Sequence, residues 1–168
     1  PDFETLLAVG DLRSDGLANE VAAIVRAHPE LLPEALTALA SPNPAVRGHA
    51  ADALEKVARL RPHDFVAHAA ALARRARSDN VAMVRWHLAM ILGYLALLPE
   101  SEAVAWRGLR DLLGDASPFV RSWAVSGLTV ASRRASRRAA EAIRVIGPLT
   151  SDPSPAVAKR AQTALRAL

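Results

Sequence analysis

The sequence predicts an all-α fold, an α-α superhelix of about five antiparallel helix pairs, and three observations carry that reading. Valines recur at Val46, Val84, Val120 and Val157, spaced 38, 36 and 37 residues apart, in four segments that align without gaps. Each is followed four and eight residues later by another apolar residue: Ala50 and Leu54, Leu88 and Leu92, Ala124 and Leu128, Ala161 and Leu165. That spacing is one buried helix stripe, and no segment shows the alternation of a half-buried strand. A repeat of this length cannot bury its stripe alone, so neighbouring repeats must stack on it.

The elements follow in order. Helices over about 2–12 and 16–27 form a first pair without a clear anchor valine. A helix over about 30–40 leads into "SPNPAVRGHAADAL" from Ser41, where Asn43-Pro44 joins a capping side chain to a proline at the first helical position. A helix over 64–77, with Asp64 as its expected cap, leads into "SDNVAMVRWHLAMIL" from Ser78, capped by Asn80. Helix 102–114 precedes "GDASPFVRSWAVSGL" from Gly114, and helix 137–150 precedes "SDPSPAVAKRAQTAL" from Ser151. Ser117-Pro118 and Ser154-Pro155 start the last two aligned helices. The pairs occupy about 1–28, 29–61, 62–98, 99–133 and 134–168, one repeat domain over the whole chain. A start at Pro1 is compatible with loss of an initiator methionine or with excision from a larger protein.

Composition narrows the function. With 168 residues, 51% hydrophobic and 23% charged, the chain is globular and long enough to bury a core without staples. The absence of cysteine excludes disulfides, thiolate metal sites and cysteine nucleophiles, and it fits a reducing cytoplasm. No charged-then-apolar leader opens the chain. The longest apolar run, "LAMILGYLALL" at 88–98, is too short for the roughly 20 residues of a membrane helix. Charge is uneven: residues 1–40 carry two basic and seven acidic side chains, residues 121–168 nine basic and two acidic. A solvated, arginine-rich surface accounts for this imbalance, and an acidic partner for the C-terminal half is the alternative.

The pattern of Asp or Ser, then Val-Arg, Ala and Leu resembles the HEAT repeat family. Asp79, Asp115 and Asp152 stand five residues before an anchor valine, and Arg47, Arg85 and Arg121 directly after one. "LLPEALTAL" at 31–39 is similar to the proline-containing first helix of such a repeat. The resemblance covers residues 30–168 well and 1–29 loosely. It implies a solenoid whose second helices line the concave side, an Asp–Arg ladder along the stack, and a surface that binds proteins, sometimes nucleic acid, and seldom performs chemistry. Ser41 in place of the aspartate and Ala158 in place of the arginine are departures expected to weaken the ladder at the outer repeats.

With that geometry, positions −1, +2, +6 and +10 from each anchor gather within about 80° on the concave side. They read Ala45, Gly48, Asp52 and Lys56, then Met83, Trp86, Met90 and Tyr94, then Phe119, Ser122, Ser126 and Val130, then Ala156, Lys159, Thr163 and Ala167. Helix 81–96 has Arg85 as its only formal charge and is therefore apolar toward both the core and the groove. Met83, Trp86, Met90, Tyr94 and Phe119, flanked by Asp52 and Lys56, form the expected partner-binding patch, since Trp, Tyr and Met favour interface hot spots and adaptable surfaces. The competing expectation is that curvature or the N-terminal pair covers this patch.

Catalytic constellations are not evident. His49 and His87 share position +3 in adjacent repeats, but Trp123 holds it in the next, so core histidines are expected rather than metal ligands. His28, His63 and His68 show no metal spacing, and there is no P-loop, dinucleotide turn or G-x-S-x-G elbow. HEAT-like alkylpurine DNA glycosylases pair groove tryptophans with one aspartate; here Asp52 is a repeat away from Trp86 and next to Lys56, and the chain is short for that family. "SRRASRRAAEAIR" at 132–144 offers Arg133, Arg134, Arg137 and Arg138 as candidate phosphate contacts, at a turn and without interleaved aromatics. "RRAS" also has the form of a basophilic kinase site at Ser136. The resulting expectation is a non-enzymatic scaffold, without cofactor or metal, that binds another protein, a peptide or its own second copy. A nucleic-acid-associated solenoid using the arginine-rich half is the alternative.

Overall fold

Ten α-helices and no strand make up the computed structural model, which describes residues 1–168. In chain order they are α1 (Phe3–Leu7), α2 (Ala18–Ala27), α3 (Leu32–Thr37), α4 (Pro44–Ala58), α5 (Ala69–Ser78), α6 (Ala82–Leu95), α7 (Glu102–Asp111), α8 (Pro118–Arg134), α9 (Ala139–Ile146) and α10 (Pro155–Ala167). Short 3-10 turns extend the odd-numbered helices from α3 onward. Consecutive even-numbered helices pack side by side from α2 to α10, whereas among the odd-numbered ones only α5 and α7 pack extensively on each other. In a curved stack the inner row is the crowded one, so the even-numbered helices line the concave face. No helix is long and apolar enough to cross a membrane.

The repeated stripe is the core. All four anchor valines are fully buried, as are Ala50, Leu88, Ala124 and Ala161. Leu54, Leu92 and Leu128 are buried too; Leu165, on the last helix, is half-buried. Helix α6 has no exposed residue, because α4 and α8 flank it and α5 and α7 lie behind it.

The ladder has three rungs. Arg47 Nε lies 3.0 Å from Asp79, and Arg85 and Arg121 grip Asp115 and Asp152 through both carboxylate oxygens at 2.7–3.0 Å. Each arginine also donates Nη1 to a carbonyl ahead of its own helix: Ser41, Asp79 and Asp115 respectively. Charge-assisted, bidentate contacts of this kind are the strong ones, and they fix repeat to repeat in both orientation and distance. Every rung joins the arginine of one repeat to the aspartate of the next, so Ser41 and Ala158 fall outside the rungs and weaken none of them. Ser41 instead donates to Glu4 at 2.6 Å.

The helix starts correct part of the capping pattern. Asn43 caps α4 by accepting from the Ala45 N–H at 3.0 Å. Ser117 and Ser154 make no such bond; Asp115 and Asp152 accept from their backbone N–H groups at 2.7 and 2.8 Å. Asn80 does not cap α6 either: Asp79 accepts from Val81 N–H at 2.9 Å, while Asn80 takes Arg47 Nη2. One aspartate thus closes an Asx-type turn with one oxygen and holds an arginine with the other. Asp64 pairs with Arg61 at 2.8 Å in the turn Pro62–His68 instead of capping α5.

The first pair departs most from expectation. α1 is only five residues long, and residues 8–17 run as turns through Gly10 (φ 87°) and Gly16 (φ 51°). Side-chain-bearing residues avoid this left-handed region, so the two glycines permit a tight path that a continued helix would not follow.

Candidate binding groove

The segment 8–17 folds back over the first repeat. Fully buried His49 anchors it, with Nδ1 2.8 Å from the Leu7 carbonyl and Nε2 3.0 Å from those of Asp11 and Ser14. Leu12 lies against Gly48 so closely that a Cβ there would sit 2.6 Å from its Cδ2, and Met83 closes the other side. Met83 and Gly48 are therefore buried, which corrects the expectation that they lie open on the groove. Asp52 is also buried: Lys56 Nζ donates to it at 2.9 Å, and His87 Nε2 stands 3.5 Å away. A helical projection assigned these residues to the correct side but carried no information on which segment covers it. The N-terminal pair does cover the patch at this end.

Beyond this cover the groove opens over α6 and α8. Trp86, Met90 and Tyr94 are half-buried, and Phe119 is 61% exposed. The Trp86 and Phe119 rings pack tilted at 45° with centroids 5.2 Å apart. Trp86 Nε1 donates to His87 Nε2 at 3.2 Å, while His87 Nδ1 lies 2.8 Å from the Met83 carbonyl. Burial pushes the His87 pKa down, so the ring is neutral, donating at Nδ1 and accepting at Nε2. The Tyr94 hydroxyl donates to buried Glu55; burial, then that carboxylate, raises the phenol far above its ordinary value and keeps it a donor.

An apolar cavity of about 130 Å³ lies between α6 and α8, lined by Met90, Tyr94, Leu97, Trp123 and Val130. Gly93 and Gly127 form its floor; a Cβ built on Gly127 would meet the Gly93 Cα at 3.2 Å. Between α8 and α10 follows a wider, open cavity of about 570 Å³, with Thr129, Arg133, Lys159, Arg160 and Thr163 on its wall. Ser126 and Val130 line both. Trp123 was missed as a groove residue because position +3 falls about 20° beyond the stripe at 100° per residue; a wider arc would have included it.

The arginine cluster divides. Arg138 Nε donates to Glu102 at 2.8 Å and Nη1 to Glu141 at 2.9 Å, and its guanidinium lies 4.9 Å from the centre of the Trp106 ring. Arg137 reaches Glu102 at 3.2 Å. Held by Arg138, the buried Glu102 carboxyl stays below the usual carboxylate range. Arg138 is thus committed to carboxylates, which corrects its reading as a phosphate contact, whereas Arg137 is 71% exposed and makes only the one contact with Glu102. Arg133 and Arg134 are exposed at the end of α8. No group of three or more His, Cys, Asp or Glu side chains is placed to hold a metal ion; both nitrogens of His49 and His87 are engaged within the fold.

Fold and groove define the class: an all-α superhelix of HEAT-like type, its inner helices presenting one continuous groove. Among solved structures it is similar over 98% of its length to a chain of the complex of CpcE and CpcF of phycocyanin lyase from Nostoc sp. PCC7120, of which it covers 96%, at a TM-score of 0.76 and 21% identity. It is also similar to an engineered protein, at a TM-score of 0.67 and 18% identity, covering 98% of this chain and 78% of that one. No protein-family model and no curated protein matches the sequence.

Proposed function

We propose that the chain is a non-enzymatic protein-binding scaffold that receives its partner in the concave groove, at Trp86, Met90, Tyr94 and Phe119. Met83, Asp52 and Lys56 support this patch from beneath and beside it. The observation that carries the reading is the apolar cavity between α6 and α8, rimmed by large side chains that the fold leaves half covered. Such groups are the usual anchors of interfaces, where a few of them supply most of the affinity. The similarity to a chain solved as a complex of two proteins adds support.

The test replaces Trp86→Ala together with Phe119→Ala and measures affinity for the protein partner recovered by affinity capture. Tyr94 is left in place because its hydroxyl satisfies Glu55. Loss of two anchors should weaken binding about thirtyfold or more. An intact fold with affinity within about threefold of wild type removes the patch from consideration.

A second reading, a lyase subunit, is favoured by the match over nearly the full length of both chains. It predicts that phycocyanin polypeptide co-purifies with this chain and that the same double substitution abolishes the complex. Failure of phycocyanin to bind rejects it.

A further inference from the structure

The geometry points to an acidic peptide segment with a leading apolar side chain as the occupant of the C-terminal half of the groove, a partner class that rests on the scaffold reading above. The arginines that tie the stack together are spent internally: Arg47, Arg85, Arg121 and Arg138 each grip a carboxylate. Arg133, Lys159 and Arg160 do not. They have no carboxylate within ion-pair distance, and all three line the cavity between α8 and α10. Arg160 is held in place without being neutralised, its Nη1 donating to Ser126 at 2.8 Å and its guanidinium lying 5.4 Å from the centre of the Trp123 ring. Thr129 and Thr163 add hydroxyls to the same wall.

The cationic cavity is continuous with the apolar one, since Ser126 and Val130 belong to both. Packed helices stand about 8–10 Å apart, so the path from α6 across α8 to α10 is about 20 Å, the reach of about six residues of extended chain. One side chain would enter the apolar cavity and carboxylates two to four residues further on would meet the three cations. A nucleic-acid strand suits the groove less well. The cationic cavity has no aromatic residue in its lining on which a base could stack.

The experiment is fluorescence anisotropy with a fluorescein-labelled hexapeptide of one leucine, one alanine and four glutamates. Wild-type protein should bind it, and exchange of the glutamates for lysines should abolish binding. Arg133→Gln with Lys159→Gln should weaken it at least about tenfold, as should moderate salt, because exposed charges are screened within about a Debye length. Both replaced side chains are exposed, and circular dichroism should show the variant folded. Replacing the leucine by alanine should also weaken binding about tenfold, the effect of emptying the apolar cavity. Absence of peptide binding, equal binding by the lysine peptide, indifference to the double variant or to the leucine, or tighter binding of an oligothymidine that displaces the peptide, would each overturn the proposal. If the peptide fails while Trp86→Ala with Phe119→Ala still disrupts the protein partner, this inference falls and the scaffold reading stands. If that variant leaves the partner bound, it is the scaffold reading that falls.

Discussion

Replacing Gly127 by alanine probes the closest approach of α6 and α8, beneath the apolar cavity. A Cβ at this position would lie 3.0 Å from both Cδ atoms of Leu109 and 3.2 Å from the Cα of Gly93. Leu109 is itself fully buried, and the Gly93 Cα is backbone that moves only with its helix. Two effects oppose each other. Alanine in a helix interior gains about 1 kcal/mol over glycine, while overpacking a closed interior costs about 1–3 kcal/mol. The steric cost should prevail, leaving the variant up to about 2 kcal/mol less stable than wild type. Gly114→Ala is the control: no neighbouring atom lies within 4 Å of its Cβ and its φ is not left-handed, so a gain of about 0.4–1 kcal/mol is expected. Urea unfolding followed by far-ultraviolet circular dichroism reads both midpoints. Gly93→Ala with Gly127→Ala should cost more than the sum of the single variants, since both methyl groups need one gap. If Gly127→Ala gains the full helical increment, as Gly114→Ala does, the close helix contact is refuted.

Three further outcomes follow from the same physical picture. Asp115→Ala removes the bidentate partner of Arg85 and the acceptor for the Ser117 N–H, and should cost about 3–5 kcal/mol in urea unfolding. Asp111→Ala, which loses only an exposed contact with Arg77 at 3.4 Å, should cost less than about 1 kcal/mol; equal costs would deny the ladder its role. His87 titrates lower in the folded chain than its unfolded value of about 6.5, mainly through burial, amid Asp52, Glu55 and Lys56. The unfolded chain therefore takes up the proton first, so stability present above about pH 6.5 declines as the pH falls toward the folded value. His87→Gln should flatten that decline between about pH 7 and 5, and an unaltered slope would contradict a buried neutral ring. Leu128→Ala, at a fully buried position, should cost about 2–5 kcal/mol, whereas Phe119→Ala should cost less than about 1 kcal/mol; similar losses would place Phe119 in the core.

How much of this protein is legible in its sequence follows from the range over which each feature is decided. The valines at 46, 84, 120 and 157 and their partners at +4 and +8 announce four of the ten helices and the side each buries, whereas the first pair carries no such anchor and its α1 is shorter than expected. A period of 3.6 residues is a local property, and its repetition every 36–38 residues leaves stacking as the way to cover the stripe. The three Asp–Arg rungs were legible only through the resemblance to HEAT repeats, which implies such a ladder. Which oxygen of Asp79 served as cap and which as ion-pair partner was not, because both uses fit one carboxylate at that position. The groove depended on contacts between residues far apart in the chain. Met83 and Asp52 lie on the expected side of their helices, but His49 draws residues 8–17 over the first repeat from about 40 positions away. Arg138 looks like a free cation in "SRRASRR" until the fold brings Glu102 to within 2.8 Å. Arg133, Lys159 and Arg160, scattered over two helices, share one cavity wall only because α8 and α10 pack together. Local periodicity determines where a helix must be covered; tertiary packing alone decides which distant side chains do the covering, and so which apolar faces and charges remain for a partner.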